Sequence, residues 1–283
     1  MTEATPDYAQ WIGRREITED DLGPAPALAA AATLDDTVTS FAKGSALPPL
    51  WHWFYFLPRA PQAQLDVDGH PRRGGFMPPI PYPRRMFAGA RMRFHRPLLI
   101  GQPARREAVI RDITQKSGRS GSLAFVSVVH SFYQQDQLCI EEEQDIVYRE
   151  PGPPVPRPPA LDWPAPPPGA WSRVVTPDPR LLFRFSALTF NAHRIHYDRP
   201  YATGEEGYPG LVVHGPLTAV LLCELVRRNT ARPLREFSFR GLAPLFDLDP
   251  FRLVGIPGDG QVAIEAQGPD GAKAMSASAG LAD

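Results

Sequence analysis

The chain has 283 residues, enough for one large domain or two modest ones, and either arrangement buries a core without needing staples. Thirty Lys and Arg stand against 31 Asp and Glu, so the net charge of -1 offers no global field to gather nucleic acid or an anionic membrane. Cys139 and Cys223 are too few and too isolated for a disulfide framework or a thiolate zinc site, which points to a reducing compartment.

The opening segment has no basic head followed by an apolar run, and no later uncharged stretch approaches the roughly 20 residues that span a bilayer. The expectation is a soluble cytoplasmic protein with no membrane partner. Ile17–Leu34 reads as a helical beginning, with Thr18 as N-cap before Glu19, Asp20 and Asp21. Ala25–Ala32 continues it or forms a second helix after Pro24 and Pro26. Leu50–Leu57 is an aromatic run that suits a buried helix or a strand, since periodicity does not separate the two. Pro71–Pro83 reads as loop. Strands follow around Met92 and Phe94 and at Ala108–Ile113, Ser122–Tyr133 and Leu138–Tyr148, with turns at Ser117–Gly121 and Gln134–Gln137.

Residues 151–175 are dense in proline, which fixes its own φ, lacks an N–H and disfavours helix in the residue before it. This connector divides the chain into 1–150 and 176–283; a long surface loop within one domain is the competing reading. In the second part, Pro200–Ala202 and Gly204–Gly210 read as irregular. Gly215–Arg228 is the best helix in the chain, with Leu217, Val220, Leu221 and Leu225 at helical spacing and Asn229 able to cap it. Strands are expected at Glu236–Arg240, Phe251–Ile256, Val262–Gln267 and Lys273–Ala277. The repeated order of helix, then sheet, suggests an internal duplication.

Chemistry concentrates in Phe185–Asp198, which carries Asn191, His193, Arg194 and His196, and in His214-Gly-Pro, which opens the long helix. This pair of segments resembles the motif of the MaoC-like hydratases, Leu-Thr-Gly-Asp-x-Asn-Pro-Ile-His followed by Ala-His-Gly at a helix start. Leu188, Thr189, Ile195 and His196 match; Phe190 replaces the Gly, Asn191 the Asp, His193 the Asn and Arg194 the Pro. The departures are similar to those of the 3-hydroxyacyl-thioester dehydratase type 2 group and its mesaconyl-CoA and itaconyl-CoA hydratase relatives, as are the strings Arg85–Ala90 and Glu141–Tyr148. The resemblance implies an α+β double hotdog: two units in one chain, each an antiparallel sheet wrapped round a helix. Residues 1–150 would complete the acyl pocket without a catalytic motif, and 176–283 would carry that motif. His52, His70, His95 and His130 are scattered, so structural placements are expected for each.

The implied reaction adds or removes water at the α,β position of an enoyl or 3-hydroxyacyl thioester. His196 is the acid/base candidate because imidazole titrates near neutrality, although a buried structural histidine is the plain competitor. Asn191 cannot ionise, so it is assigned to orient the water through its carbonyl and amide. Val213, His214 and Gly215 at the helix start are candidates for holding the thioester oxygen. His193, Arg194, Arg84 and Arg85 are candidate substrate-binding residues, each with a structural alternative such as a turn or an internal salt bridge. His193-x-x-His196 with His214 and Asp198 is a weak metal pattern, so neither a metal nor a cofactor is expected; coenzyme A enters as part of the substrate. A short branched or dicarboxylic acyl-CoA is the leading substrate. The alternatives are an acyl-carrier-protein dehydratase and a non-catalytic acyl-thioester-binding hotdog. Family analogy suggests a homodimer, and nothing in the charge pattern suggests nucleic acid.

Overall fold

Strict alternation of apolar and polar residues puts every second side chain of a strand on one face. Gly121–Gln134 follows this rule, with Ala124, Val126, Val128, His130, Phe132 and Gln134 buried in turn. It is one of ten strands in a single antiparallel sheet of the computed structural model, which describes residues 8–118, 121–160 and 162–282. The strands are β1 (Arg15–Asp20), β2 (Arg84–Phe94), β3 (Ala104–Gly118), β4 (Gly121–Gln134), β5 (Gln137–Arg149), β6 (Trp171–Val175), β7 (Leu234–Gly241), β8 (Phe251–Pro257), β9 (Gln261–Gln267) and β10 (Lys273–Leu281). Their order is β1-β3-β4-β5-β2-β7-β10-β9-β8-β6. Read from either outer edge to the middle, each half runs first, third, fourth, fifth, second strand. The duplication suggested by the sequence is therefore present in the topology.

The halves meet where Gly89–Arg93 of β2 pairs with Arg240–Glu236 of β7. A Cβ on Gly89 would lie 2.5 Å from the Phe239 carbonyl oxygen, so only glycine permits this seam. The second half wraps the helix expected at 215, here Gly215–Asn229, which buries every residue from Leu217 to Val226. Between β1 and β2 the first half instead carries the 11-residue α1 (Pro24–Leu34) and a 3-10 turn at Trp51–Phe54. Trp51 is fully buried and its indole N–H donates to Glu224 of the long helix, 3.0 Å away, so the two halves share one core.

Several sequence expectations are corrected. Residues 15–20 form β1 rather than the first turn of a helix, because the backbone finds partners along β3. The Asp20 carboxylate then accepts from the Leu22 and Phe56 amides, and α1 begins only at Pro24. The aromatic run from Leu50 is neither an α-helix nor a strand but a 3-10 turn, entered through Leu50 at φ +68°. Trp171–Val175, placed in the proline-rich connector, is the edge strand β6 paired with β8. The rest of the connector lies along the second half: Arg157 pairs with Asp249, and the Trp163 indole donates to the Gly268 carbonyl. Pro179–Leu188 forms α2, N-capped by Asp178. Arg199–Gly204, read as irregular, forms the short helix α3, N-capped by Asp198. The long helix is thus α4. Of the expected turn at Ser117–Gly121, Arg119 and Ser120 lie outside the described residues.

Candidate active site

The segment after α2 must turn sharply to return to the sheet, and Phe190 does so at φ +48°. Asn191 then closes a local turn, its Oδ1 accepting from the His193 amide at 2.9 Å. This brings Arg194–His196 into a 3-10 turn in which His196 is buried. Its Nδ1 lies 2.7 Å from the Val212 carbonyl oxygen. A carbonyl only accepts, so Nδ1 carries the proton, and in the neutral ring Nε2 keeps its lone pair. Burial pushes the His196 pKa down to about 4, so the ring is neutral at pH 7.

His214 lies beneath it, the two rings stacked with centroids 3.6 Å apart. The Ser186 hydroxyl is 2.8 Å from His214 Nε2, and burial holds the His214 pKa well below the usual imidazole value. His214 also stands at the N-cap of α4 without using its side chain. The first intrahelical bond there runs from the Thr218 amide to the His214 carbonyl. Geometry leaves the Gly215 amide at the dipole's positive end with no partner inside the helix, and Pro216 has no N–H to lose.

His196 and Gly215 face one cavity of about 1050 Å³. The first half supplies much of its wall, including a loop that the sequence did not mark. In that loop the His70 amide donates to Asp68 Oδ1 at 2.9 Å, and His70 Nδ1 lies 3.0 Å from Asp68 Oδ2. The His70 ring is centred 4.2 Å from His193, which is itself 5.3 Å from His196. Three contacts dock the loop: the Arg194 amide donates to the Asp68 carbonyl, the Arg194 guanidinium donates to the Val67 carbonyl, and Gly69 passes over Ala192 at φ +93°. One ligand atom each from Asp68, His70 and His193 falls within 4.8 Å of the others, a geometry able to share a cation, though the Asp68 carboxylate is already engaged by His70. At the first-half end of the cavity the buried Glu142 is bonded to His52 and accepts from Trp53 and Gln144, with His130 beside it.

The sequence-derived candidates distribute unevenly. His193, His196, Asn191, Val213, Gly215, Arg84 and Arg85 all line the cavity. His214 supports the His196 ring from below rather than facing the cavity. Arg194 is a correction: it does not line the cavity, its guanidinium being bonded to Asp198 and the Val67 carbonyl and stacked over Tyr201. Arg84 is buried against Glu206, whereas Arg85 is only half-buried. His52, His70 and His130, expected to be incidental, also line the cavity, while His95 makes an outer-surface pair with Glu141.

These buried rings make stability depend on acid. His130 and His196 are each pushed down to about 4, mainly by burial, against about 6.5 in an unfolded chain. Between those values the unfolded state binds more protons, so stability is complete above pH 6.5 and is lost as pH falls toward 4. Each ring accounts for about 3 kcal/mol of that loss. Denaturant unfolding at pH 7.5 and 4.5 should therefore show a steep decline, and His196→Gln should make it shallower. An unchanged pH slope in that variant would remove burial of this ring as the cause.

Residues 50–247 match the sequence profile of the hydroxyacyl-thioester dehydratase type 2 family. Over 275 residues the chain is 69% identical to the mesaconyl-C(4)-CoA hydratase of Chloroflexus aurantiacus, covering 97% of this chain and 98% of that one. Its fold is similar to the crystal structure of HtdX of Mycobacterium tuberculosis, with a TM-score of 0.69 at 17% identity over 95% and 100% of the two chains. It is also similar to a double hotdog protein of the same organism, with a TM-score of 0.57 at 13% identity over 96% of each chain.

Proposed function

The chain belongs to the hydroxyacyl-thioester dehydratase type 2 family, and on that premise we propose that it is a hydro-lyase of acyl-CoA thioesters in which His196 moves the proton. The observation that carries this reading is the tautomer lock: Val212 fixes the proton on Nδ1, leaving a basic Nε2 on a neutral ring in the cavity that the amino end of α4 also enters. In hydration, Nε2 takes a proton from water as the water oxygen bonds to Cβ. The π electrons move onto the thioester oxygen as an enolate, which the Gly215 amide and the helix dipole receive. The His196 imidazolium then returns the proton to Cα, and dehydration runs the same steps backward. His214, stacked beneath, holds the ring in plane.

The substrate best supported is a short dicarboxylic enoyl-CoA of the mesaconyl-C(4) type, the molecule named for the 69% identical relative. The polar wall of His52, Glu142, His130 and Gln144 is a poor lining for a long alkyl chain and weighs against a carrier-protein dehydratase of fatty acid synthesis. The buried free thiols of Cys139 and Cys223 fit a cytoplasmic setting, and hotdog proteins associate through their sheets, which favours a homodimer. Thioester absorbance followed with mesaconyl-C(4)-CoA, crotonyl-CoA and 2-octenoyl-CoA tests the reading. The dicarboxylate should be preferred over both, and a preference for octenoyl-CoA would overturn it.

Asn191 has a narrower role than its residue type suggests. Its Oδ1 is committed to the His193 amide, so the side-chain NH₂ is the part left to donate to water or substrate. Asn191→Asp keeps the turn but replaces that donor with an anionic acceptor, and kcat should fall about 10-fold or more. Full activity in the variant would mean the amide is not required.

A further inference from the structure

Resting on the dicarboxylic reading above, we propose that Arg85 is the carboxylate receptor of the cavity and binds the carboxyl group borne on the carbon that takes the hydroxyl. Four arginines line the cavity. Arg84 is committed to Glu206, and Arg106 pairs with Glu16. Arg85 and Arg149 have no ion-pair partner among the described residues. Position separates these two: Arg149 is the register partner of Arg84, whose guanidinium is bound to Glu206, whereas Phe87, two residues beyond Arg85 along β2, brings its carbonyl to 3.6 Å from where a Cβ on Gly215 would lie, at the helix start next to His214, and the charge of Arg85 is felt by His70 and His193. Arg85 therefore stands at the histidine end.

Among the described residues, the acids in and beside the cavity are engaged elsewhere. Glu206 serves Arg84, Asp68 serves His70, and Glu142 is occupied by His52, Trp53 and Gln144. A half-buried guanidinium without a counter-ion is unfavourable, and an arriving carboxylate relieves that cost while filling the two-pronged donor face of the arginine. The residue sits on β2, hydrogen-bonded to β5 through the Arg85–Tyr148 register, so a rigid strand rather than a loop presents it.

Substrate chemistry requires a receptor at this place. In a mesaconyl-C(4) thioester the free carboxyl is attached to Cβ, the atom that accepts the oxygen, so its partner must lie beside the histidines. Holding that carboxylate fixes Cβ against the water and sets the preference over acyl groups that carry only alkyl or hydrogen there. Arg85 thereby becomes a specificity-determining residue contributed by the half that lacks the catalytic motif.

Succinyl-CoA and butyryl-CoA carry a carboxylate and a methyl on the same carbon, and neither can be hydrated, so their binding isolates the receptor from turnover. By calorimetry the parent protein should bind succinyl-CoA about 10- to 100-fold more tightly than butyryl-CoA. Arg85→Met should bring the ratio near one, and Arg85→Lys should retain part of it, since charge survives but the planar fork does not. Melting curves confirm that each variant is folded, and the lysine form decides the matter if the methionine form is not. Retention of the full ratio in Arg85→Met, or absence of any preference in the parent, overturns the receptor. A parent that turns over crotonyl-CoA but not mesaconyl-C(4)-CoA overturns the dicarboxylic reading instead, whatever the binding ratio.

Discussion

Replacing His196 with glutamine is expected to lower kcat by about 100- to 10,000-fold while leaving substrate affinity within a fewfold of the parent. Glutamine is the informative choice because it is polar and close to imidazole in size, so the buried position stays filled by a side chain that can still hydrogen-bond. It has no group that exchanges a proton near neutral pH. If His196 were instead a structural ring, satisfied by Val212 and packed on His214, the same variant would lose stability but not turnover. Steady-state kinetics beside a melting curve separates the two: a well-folded variant retaining parental kcat would remove His196 from the chemistry.

The second large effect is expected at Gly69, which lies outside the motif. A Cβ there would sit 1.7 Å from the Ala192 carbonyl oxygen and 2.6 Å from its carbon, and both are backbone atoms that no rotamer change can move aside. The positive φ of 93° adds strain for any L side chain. Gly69→Ala must therefore push the loop off the motif, breaking the bond from the Arg194 amide to the Asp68 carbonyl and withdrawing His70 from His193. We expect a stability loss of about 2 to 4 kcal/mol and at least a 10-fold fall in kcat. Gly44→Ala is the control, since its φ is +87° but nothing lies within 4 Å of a Cβ there. It should show the backbone strain alone, about 1 kcal/mol with normal turnover. Equal losses in the two variants would mean that the loop contact contributes nothing.

What the sequence could and could not disclose follows from the range of each interaction. The motif from Leu188 to His196 and the helix after His214 were legible because adjacent residues form them, with spacing set by one turn and one helix start. The strands were legible through alternation, as β4 illustrates. β1 was not, because Glu19, Asp20 and Asp21 resemble a helix amino end, and only the distant β3 decides that they belong at a strand end. Asp68 and His70 were invisible for a similar reason. Nothing local tells a surface Asp-Gly-His turn from one that docks against the other half; the only cue was a glycine in a loop otherwise rich in proline. Arg194 misled in the opposite direction, since its partner Asp198 one helical turn later absorbs the charge that made it look like a ligand.

In the proposed reaction one imidazole and one helix amide hold opposite ends of the reacting group. A crystal structure with a bound 3-hydroxyacyl thioester tests it most directly. The β-hydroxyl is expected within about 3 Å of His196 Nε2 and the thioester oxygen within about 3 Å of the Gly215 amide. A ligand whose hydroxyl lies out of reach of that ring, or whose thioester oxygen points away from α4, would contradict it.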